Sequence, residues 1–592
     1  MYILGISCFY HDSAAALIRD GEVIAAAEEE RFSRIKHDFG FPDKSIQFCC
    51  DFAGISFEEL DYVVFYEKPF HKFERILRTS IQTFPKSWTF FREAMITWLS
   101  DRLWVKNIIQ EKLGINNSKI LFSEHHLSHA ASTFYASPFE EAAILTIDGV
   151  GEWTTTATGF GKGTHIQLLK DISFPHSLGL LYSAFTAFLG FKVNEGEYKV
   201  MGMAPYGNPL YTDTIYKHIW KLSDDGSFWI DMKYFSYHYS NTMMFNGNFV
   251  ELFGKPRTPE SYFFTSNTRY PSYFGEKPSN YLELCRENEH YADIAASIQT
   301  VTEETILRLV NSLHRETGLE NLCIAGGVGL NSVANGRIVR ETPFKQLFIQ
   351  PAAGDSGGAL GAALYLYHGL LEKPRRFTME HAYWGKEYNE TEIKQFLDSN
   401  NIDYEYYSND EKLIDTAVNT LLEGKVIGWF QGRFEWGPRA LGNRSILADP
   451  RSEDMKDMVN AKIKFREPFR PFAPVIIEEY AKEFFNCEDS VFSQLPARYM
   501  LLVMPFDEKK GETIKAVNHM GTGRLQTIKK EWNDRYYRLI EKFKEATGVP
   551  VLLNTSFNLR GEPIVTSPSD AYNTFIKSGI DMLVLEHYIV RK

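Results

Sequence analysis

Apolar runs separated by short polar turns open the chain and predict three strands. The runs span residues 2–6, 14–18 and 22–27, and the last two are joined by Asp20-Gly21. Short apolar runs bounded by Gly and Asp are typical of antiparallel strands, so the pattern predicts a β-meander. A related pattern returns at residues 142–147, 154–159 and 165–169. The repeat indicates two halves of similar build.

Two glycine-rich turns lie further along, each between an apolar run and a helical pattern. Residues 290–319 form a long amphipathic pattern, and the apolar run 321–325 then ends at Gly326-Gly327. The second turn covers residues 354–361. Glycine at such turns lets backbone N–H groups approach a phosphate or nucleotide at a helix N-terminus. We therefore predict an α/β protein whose N-terminal domain has the duplicated fold of actin, sugar kinases and heat-shock chaperones.

The periodic pattern weakens after about residue 371, which indicates a domain boundary. We predict a domain at 1–375, a linker at 376–395 and a second domain at 396–592, because a chain of 592 residues exceeds what one core usually supports. The second domain reads as a mixed α/β domain with strands at 426–430, 445–448, 500–504 and 549–554 and helices at 452–463 and 534–547.

Two histidines four residues apart, His125 and His129, are the first candidates for chemistry. On a helix they project from one face and can converge on one cation. Asp148 directly follows the apolar run 142–147, and Asp355 lies between an apolar run and a helix. Nitrogen and oxygen ligands of this kind suit iron, zinc or manganese. Histidines at this spacing also occur as ordinary core or surface residues, and the spacing alone does not decide between the two.

Five cations of the second domain stand among Gly, Pro and apolar residues instead of on a polar helix face. They are Arg439, Lys464, Arg470, Arg524 and Arg560. Cations removed from water need a counter-charge, and a phosphate or polyphosphate provides it with bidentate geometry for Arg. We therefore predict a phosphate-binding site in the second domain.

Composition narrows the class of protein. The net charge of -12 disfavours a nucleic-acid partner, for which a clustered basic face is typical. No apolar run is long enough to span a bilayer, and the chain begins as a strand without a secretion signal. The six cysteines form no C-x-x-C pair and indicate a reducing compartment. We expect a cytoplasmic protein with neither a nucleic-acid nor a membrane partner.

Six motifs together resemble the O-carbamoyltransferase family, whose members act on nodulation factors, cephamycins and tobramycin. The similarity extends over nearly the whole chain. In order along the chain the motifs are HDSAAA at 11–16, AEEERFSR at 27–34, HHLSHA at 125–130, AGGVGLN at 325–331, GPRALG at 437–442 and NTSFN at 554–558.

The resemblance implies an enzyme with two steps. A C-terminal YrdC-like domain makes carbamoyl adenylate from carbamoyl phosphate and ATP, with Mg²⁺, and releases pyrophosphate. The N-terminal domain, similar to the tRNA threonylcarbamoyladenosine transferases, then transfers the carbamoyl group to a hydroxyl of a small natural product. A sugar, an aminoglycoside or a guanidinium alkaloid such as a saxitoxin precursor would be such an acceptor. Family members carry Fe²⁺ or another divalent metal in this domain, and a homodimer is expected.

The same resemblance implies roles for individual residues. The metal ligands would be His125, His129, Asp148 and Asp355. The catalytic base would be His11 or Asp12, and we favour His11 because imidazole titrates close to neutral pH. The remaining implied sites are carbamoyl-adenylate contacts at Lys36, Lys199, Gly326, Gly327 and Asn331, and carbamoyl-phosphate and ATP contacts at Arg439, Lys464, Arg470, Arg524, Asn554 and Arg560.

Two other functions compete with this hypothesis. An actin-fold kinase or ATPase with a regulatory C-terminal domain would explain the glycine turns. It would not explain the second set of cations or a His/His/Asp/Asp set, because such kinases use mainly carboxylates and magnesium. A non-catalytic binding protein would have little reason to bury so many charges. Pyrophosphate release that depends on carbamoyl phosphate separates the first hypothesis from both.

Overall fold

The computed structural model describes residues 1–268, 270–464 and 466–592, and the chain divides into two compact units. Unit 1 comprises Met1–Glu29, Phe39–Thr268 and Asn280–Met379. Unit 2 comprises Glu30–Asp38, the described part of Arg269–Ser279, and Glu380–Lys592. A short segment near the N-terminus, which includes Lys36, therefore belongs to the second unit.

The strands of the described residues are short and mostly buried. In chain order they are β1 Tyr2–Ser7, β2 Ala14–Arg19, β3 Glu22–Glu28, β4 Tyr62–Phe65, β5 Ile120–Phe122, β6 Glu141–Ile147, β7 Thr154–Lys162, β8 His165–Ser173, β9 Trp220–Leu222, β10 Phe228–Ile230, β11 Asn321–Ala325, β12 Gln346–Phe348, β13 Glu405–Tyr406, β14 Ile427–Phe430, β15 Arg444–Ala448, β16 Ala473–Ile477, β17 Leu502–Pro505, β18 Thr522–Ile528, β19 Val551–Ser556, β20 Met582–Leu585 and β21 Tyr588–Arg591.

The α-helices range from single turns to the 37 residues of Tyr281–Thr317. In chain order they are α1 Glu30–Ser33, α2 Asp43–Ala53, α3 Pro69–Gln82, α4 Trp88–Ser100, α5 Val105–Leu113, α6 His125–Phe134, α7 Leu178–Phe188, α8 Glu197–Met203, α9 Thr212–His218, α10 Gly247–Phe253, α11 Tyr281–Thr317, α12 Ser332–Glu341, α13 Asp355–Leu364, α14 Glu390–Ser399, α15 Asp410–Leu422, α16 Asp454–Val459, α17 Ala481–Phe484, α18 Asp489–Phe492, α19 Leu495–Arg498, α20 Glu508–Gly511, α21 Asp534–Thr547 and α22 Pro568–Lys577.

Unit 1 contains the same sheet twice. Within the described part of the chain, one five-stranded sheet has the order β3-β2-β1-β4-β5 and another has the order β8-β7-β6-β11-β12. In each sheet the first three strands of this order form an antiparallel meander, the fourth strand pairs in parallel with the third, and the fifth pairs in parallel with the fourth. The strand order and directions are therefore identical. The predicted duplicated α/β fold of the actin and sugar-kinase class is confirmed.

Small residues let helix α13 pack against both β1 and α6. Its sequence is DSGGALGAAL, and all of its residues are buried. A Cβ on Gly5 of β1 would lie 1.8 Å from the carbonyl oxygen of Ala359, and a Cβ on Gly361 would lie 1.8 Å from that of Ser128 on α6. Only glycine permits such approaches of backbone to backbone. This packing brings the first residue of α13, Asp355, close to the histidines of α6.

Unit 2 is built on one mixed sheet. Among the described residues this sheet has nine strands in the order β13-β21-β20-β14-β15-β19-β16-β18-β17. Its centre is hydrophobic, since β14, β15, β16 and β20 are buried along their whole length. It is a mixed α/β domain, as predicted.

The structure adds several elements to unit 2 beyond those predicted. Strands β16, β18, β20 and β21 and helices α14, α15 and α22 were not predicted. The expected helix at 452–463 is divided into α16 and a π-helical turn, Asn460–Lys464. Helix α14 begins at Glu390, inside the predicted linker 376–395. None of the described helices combines the length and apolar character needed to cross a membrane.

Candidate active site

Helix α6 presents His125 and His129 on one face. The helix begins at His125, whose backbone N–H donates to Glu152 Oε1 and Oε2 at 3.0 and 3.2 Å. A carboxylate here satisfies an otherwise free N–H and favours the positive end of the helix dipole. The Nε2 atoms of His125 and His129 lie 3.1 Å apart, and both side chains are completely buried. The two imidazoles therefore point at one place.

Two carboxylates complete this group. Asp148 directly follows β6, and its Oδ2 lies 3.1 Å from His125 Nε2 and 3.9 Å from His129 Nε2. Asp355 begins α13, and its Oδ1 lies 3.5 Å from His125 Nε2 and 3.4 Å from His129 Nε2. All four side chains are buried, and one ligand atom from each lies within 4.8 Å of the others. The four residues that spacing and resemblance selected do come together.

The spacing of these atoms fits a bound cation. Ligand atoms bonded at about 2.1 Å to a four- or six-coordinate metal lie about 3.0–3.4 Å apart. Most of the separations between the nitrogen and oxygen atoms fall near that range, and Asp355 Oδ1 makes no hydrogen bond within the described part of the chain. Two imidazoles and two carboxylates without a thiolate suit iron, zinc or manganese. The group could hold a divalent metal.

The Gly326-Gly327 turn fixes Asp148 from the neighbouring strand. Strand β11 runs parallel to β6 and ends at Ala325, so the turn lies beside the end of β6. The Gly327 N–H donates to Asp148 Oδ1 at 2.8 Å. Gly326 has a φ of +94°, and a Cβ there would lie 2.1 Å from the Ile147 carbonyl oxygen. In this structure the glycines thus position a carboxylate.

The other predicted adenylate contacts lie on separate elements of the structure. Asn331 caps α12 by accepting from the Ala334 N–H at 3.1 Å, and its amide bonds to Gln299. Lys199 lies on α8 with its Nζ 5.4 Å from the ring centre of Phe191. Lys36 belongs to unit 2, although the sequence grouped it with the N-terminal site.

His11 lies at the edge of the group formed by His125, His129, Asp148 and Asp355. Its Nε2 is 3.8 Å from Asp355 Oδ2, and its Nδ1 lies 2.9 Å from Asp12 Oδ2. Burial alone would lower the pKa of His11, but the carboxylates of Asp355 and Asp12 outweigh it and raise the pKa to about 9. Of the two candidate bases, His11 faces the group, and Asp12 is placed to orient it.

Three buried residues that the sequence did not indicate contact this site. Tyr66 donates its hydroxyl to Asp355 Oδ2 at 3.5 Å. Glu67 Oε2 lies 2.7 Å from Lys72 Nζ and 3.6 Å from His125 Nδ1. Burial acts to raise the pKa of Glu67, but the Lys72 ammonium outweighs it and the pKa falls to about 2. Their position in the chain could have indicated two of them, because Tyr66 and Glu67 directly follow the parallel strand β4. Residues that contact ligands in α/β sheets occur at the ends of such strands.

In unit 2, Lys464 is the most buried of the predicted cations. Its Nζ donates to the Ser556 carbonyl oxygen at 2.5 Å and to Asn558 Oδ1 at 3.0 Å. Burial and the neighbouring cations Arg466, Arg470 and Lys36 lower the pKa of Lys464 well below its usual value. A buried ammonium among like charges favours an anionic ligand.

Arg470 and Arg560 share one carboxylate. The oxygens of Glu467 lie 3.5 Å from Arg470 Nη1 and 3.6 Å from Arg560 Nη2. Arg560 is exposed, whereas Glu467 and Arg470 are partly buried. The two arginines are therefore close to one another, and Arg470 is near enough to Lys464 for its charge to lower the pKa of that lysine.

Side chains of β19 and β18, the two strands on either side of β16, hold the loop that carries Arg439. Asn554 of β19 donates to the Ala440 carbonyl oxygen at 3.1 Å, and Gln526 of β18 donates to that of Leu441 at 2.9 Å. Alternate residues of a strand share a face, so Arg524 lies on the face of Gln526, and Ser556, which contacts Lys464, lies on the face of Asn554. One face of the sheet thus gathers the Arg439 loop, Arg524 and the surroundings of Lys464.

The duplicated sheets and the buried His/Asp group define a protein of the actin and sugar-kinase fold class with a second α/β domain. The model of the carbamoyltransferase N-terminus matches residues 2–364, and that of the carbamoyltransferase C-terminus matches residues 418–592. The chain belongs to the carbamoyltransferase family, and it is a transferase.

Curated relatives match along most of the chain. An uncharacterized protein of Synechocystis sp. is 46% identical over 100% of this chain and 97% of its own length. Nodulation protein NolNO of Sinorhizobium fredii is 37% identical over 99% of this chain and 79% of its own. The 3'-hydroxymethylcephem-O-carbamoyltransferase of Amycolatopsis lactamdurans is 32% identical over 54% of this chain and 58% of its own. Among solved structures, HypF of T. kodakarensis is 15% identical with a TM-score of 0.31, covering 63% of this chain and 48% of its own.

Proposed function

We propose that this protein is an ATP-dependent O-carbamoyltransferase that acts on a hydroxyl of a small molecule. The family match supports carbamoyl transfer. The name of the Amycolatopsis relative, which specifies a hydroxymethyl cephem, supports a hydroxyl acceptor on a small natural product. We further propose that residues 1–375 form the transfer domain, 376–395 a linker, and 396–592 the domain that makes carbamoyl adenylate.

The observation that carries this proposal is the buried Lys464 with its neighbouring cations. Arg466, Arg470 and Lys36 all raise the cost of charging Lys464, and no function as a kinase in unit 1 would require them. Carbamoyl phosphate and the triphosphate of ATP are anions that such a cluster of cations would attract. In the proposal Arg439, Lys464, Arg470, Arg524 and Arg560 bind these ligands, with Mg²⁺ accompanying ATP.

The first step makes carbamoyl adenylate in two reactions. Water cleaves carbamoyl phosphate to carbamate and phosphate. A carbamate oxygen then attacks the α-phosphorus of ATP, the bond to the β-phosphate oxygen breaks, and pyrophosphate leaves with its charge held by the arginines and Lys464. Asn554 can contribute to this step without touching the ligands, because its side chain donates to the Ala440 carbonyl oxygen and so holds the loop that carries Arg439. The product is carbamoyl adenylate, one phosphate and one pyrophosphate.

The second step takes place in unit 1. The acceptor oxygen attacks the carbamoyl carbon, its proton passes to Nε2 of neutral His11, and AMP leaves. With its charge offset by a bound divalent metal, the Asp355 carboxylate would raise the pKa of His11 less and so would favour this neutral form. Asp12 accepts from His11 Nδ1 and keeps the ring in the orientation that leaves Nε2 toward the site. His125, His129, Asp148 and Asp355 would hold Fe²⁺ or another divalent metal, which when bound supplies a Lewis acid that polarises oxygens of the adenylate. Lys36, Lys199 and the backbone from Gly326 to Asn331 are proposed adenylate contacts.

The test is a reaction with ATP, labelled carbamoyl phosphate and a panel of hydroxylated acceptors. We expect pyrophosphate only when carbamoyl phosphate is present, and an acceptor heavier by one carbamoyl group in the mass spectrum. A kinase would instead produce ADP and a phosphorylated acceptor without carbamoyl phosphate. Formation of ADP at a rate that does not depend on carbamoyl phosphate would contradict the proposal.

A further inference from the structure

A buried ion pair stands directly behind His125. Glu67 follows β4, and its Oε2 lies 2.7 Å from the Nζ of Lys72 on α3. The same oxygen lies 3.6 Å from Nδ1 of His125. The side chains of Glu67 and Lys72 are 5% and 7% exposed, and that of His125 is not exposed at all. A buried ion pair contributes little net stability in most proteins, so this pair calls for a further role.

The two ring nitrogens of His125 have different surroundings. Nε2 faces His129, Asp148 and Asp355. Nδ1 points to the opposite side, is buried, and makes no hydrogen bond within the described part of the chain. An imidazole that binds a cation through Nε2 carries its proton on Nδ1, and that proton needs an acceptor. Glu67 is the carboxylate that faces it.

We propose that Glu67, held in place by Lys72, is a positioning residue for the metal ligand His125. It accepts the Nδ1 proton and thereby keeps the Nε2 lone pair directed at the metal. The inference rests on the metal site of the proposed function. It adds a residue pair that the motifs of the sequence do not contain.

Lys72 has a defined part in this arrangement. Its ammonium occupies one side of Glu67, so the carboxylate cannot turn away from His125 without losing a charge-assisted hydrogen bond. The Nζ atom also lies 4.7 Å from the ring centre of Tyr10, and that ring is 4.5 Å from the ring of His11. The pair therefore contacts the surroundings of the proposed base as well as a proposed ligand.

Four variants test the proposal. Glu67→Gln keeps the shape, but its amide N–H can donate to Nδ1 and favour the wrong tautomer. The double variant E67L/K72M removes the acceptor and leaves no unpaired charge. Glu67→Asp keeps a carboxylate. Glu74→Gln is the matched control, because Glu74 lies on α3 with Lys72 but forms an exposed ion pair with Arg78.

The readouts are metal affinity by competition with a chelator, and the absorption spectrum of the Co²⁺-loaded protein. We expect Glu67→Gln and the double variant to lose about 10–100-fold in metal affinity and to shift the Co²⁺ spectrum. Glu67→Asp should retain affinity within about fivefold, and Glu74→Gln should match the parent protein. Thermal unfolding of the metal-free proteins reports whether each variant folds. If Glu67→Gln does not fold, the metal affinity of the double variant tests the proposal instead.

The two failures are distinguishable. If the parent protein binds neither Fe²⁺, Zn²⁺ nor Co²⁺, the metal site of the proposed function is wrong and the inference falls with it. If the parent protein binds metal and the double variant binds it equally tightly with an unchanged spectrum, only the role of Glu67 is refuted. Loss of affinity in Glu74→Gln equal to that in Glu67→Gln would also refute it, because the effect would then not come from the contact with His125.

Discussion

Asp355→Asn tests whether the His/Asp group of unit 1 holds a metal. Asp355 Oδ1 lies 3.5 Å and 3.4 Å from the Nε2 atoms of His125 and His129. The substitution keeps the size of the side chain but replaces an anionic ligand by a neutral amide. Carboxylate oxygen is a preferred ligand of these metals, whereas an amide carries no charge to neutralise theirs. We expect the affinity for the metal to fall by at least 100-fold.

The expected change in stability follows from linkage. A metal present at 100 times its Kd stabilises the folded protein by about 2.7 kcal/mol, whereas a metal present at its Kd contributes about 0.4 kcal/mol. With an unfolding entropy of about 2.1 cal/mol/K per residue, a unit of about 360 residues shifts its Tm by about 1.3 °C for each kcal/mol. Metal should therefore raise the Tm of the parent unit by about 4 °C and that of Asp355→Asn by less than about 1 °C.

Differential scanning calorimetry with metal and with excess chelator measures this difference. His126→Gln is the matched control, since His126 lies beside His125 on α6 but bonds to Thr146 Oγ1 and the Thr154 carbonyl oxygen. That variant loses buried hydrogen bonds and should unfold at a lower temperature, yet keep the metal-dependent shift. The reasoning would be refuted if metal did not change the Tm of the parent protein, or if the Asp355→Asn variant kept the full metal-dependent shift in Tm.

Three further substitutions test the two proposed reaction steps separately and test the need for glycine at position 326. Lys464→Met should slow pyrophosphate release at least 100-fold, while carbamoyl transfer from supplied carbamoyl adenylate continues; equal loss in both assays would contradict the assignment. His11→Ala should do the reverse, slowing transfer by about 10²–10⁴-fold with single-turnover pyrophosphate release preserved. Gly326→Ala places a Cβ 2.1 Å from the Ile147 carbonyl oxygen at a φ of +94°, whereas Gly54, at +68°, has nothing within 4 Å. Chemical denaturation should show Gly326→Ala to be about 1–3 kcal/mol less stable than Gly54→Ala, and comparable stability would show that the contact can relax.

Strand periodicity was sufficient to predict the duplication in unit 1. The two meanders were visible as apolar runs, and the parallel strand β11 was bounded correctly by Asn321 and Ala325. In unit 2 the pattern failed at strands such as β18, TGRLQTI, where polar residues are interspersed with apolar ones and Gln526 and Thr527 are nevertheless buried. A buried Gln526 that bonds to a loop carbonyl looks in sequence like a surface residue, because its partner is distant along the chain.

The residues of the candidate site also differ in how far the sequence could predict them. Spacing on one helix suffices to pair His125 with His129, because the partners are local. Asp355 is more than 200 residues away, and only the close packing of α13 on α6 through Gly361 brings it there. Glu67 lacked any motif, and its role depends on a contact with His125 across the fold. Lys36 clusters with unit 2 in the structure, and this could not be predicted because the path of the segment Glu30–Asp38 cannot be read from its position in the sequence.

The duplicated topology explains why these residues meet. In open α/β sheets, ligands bind beyond the carboxyl ends of parallel strands. In each sheet of unit 1 the central parallel pair is formed by equivalent strands, β1 with β4 and β6 with β11. His11 follows β1 and Asp148 follows β6, whereas Glu67 follows β4 and Gly326 follows β11.

Equivalent positions of the two sheets have therefore acquired different tasks. The segment after the first strand carries the proposed base in one sheet and a proposed metal ligand in the other. The segment after the fourth strand of each sheet supports a ligand from behind: Glu67 faces His125, and the Gly327 N–H bonds to Asp148. Since each support contacts a proposed metal ligand, we expect the loss of either contact to weaken metal binding. The sheet is therefore duplicated in unit 1, whereas the roles of its equivalent positions are not.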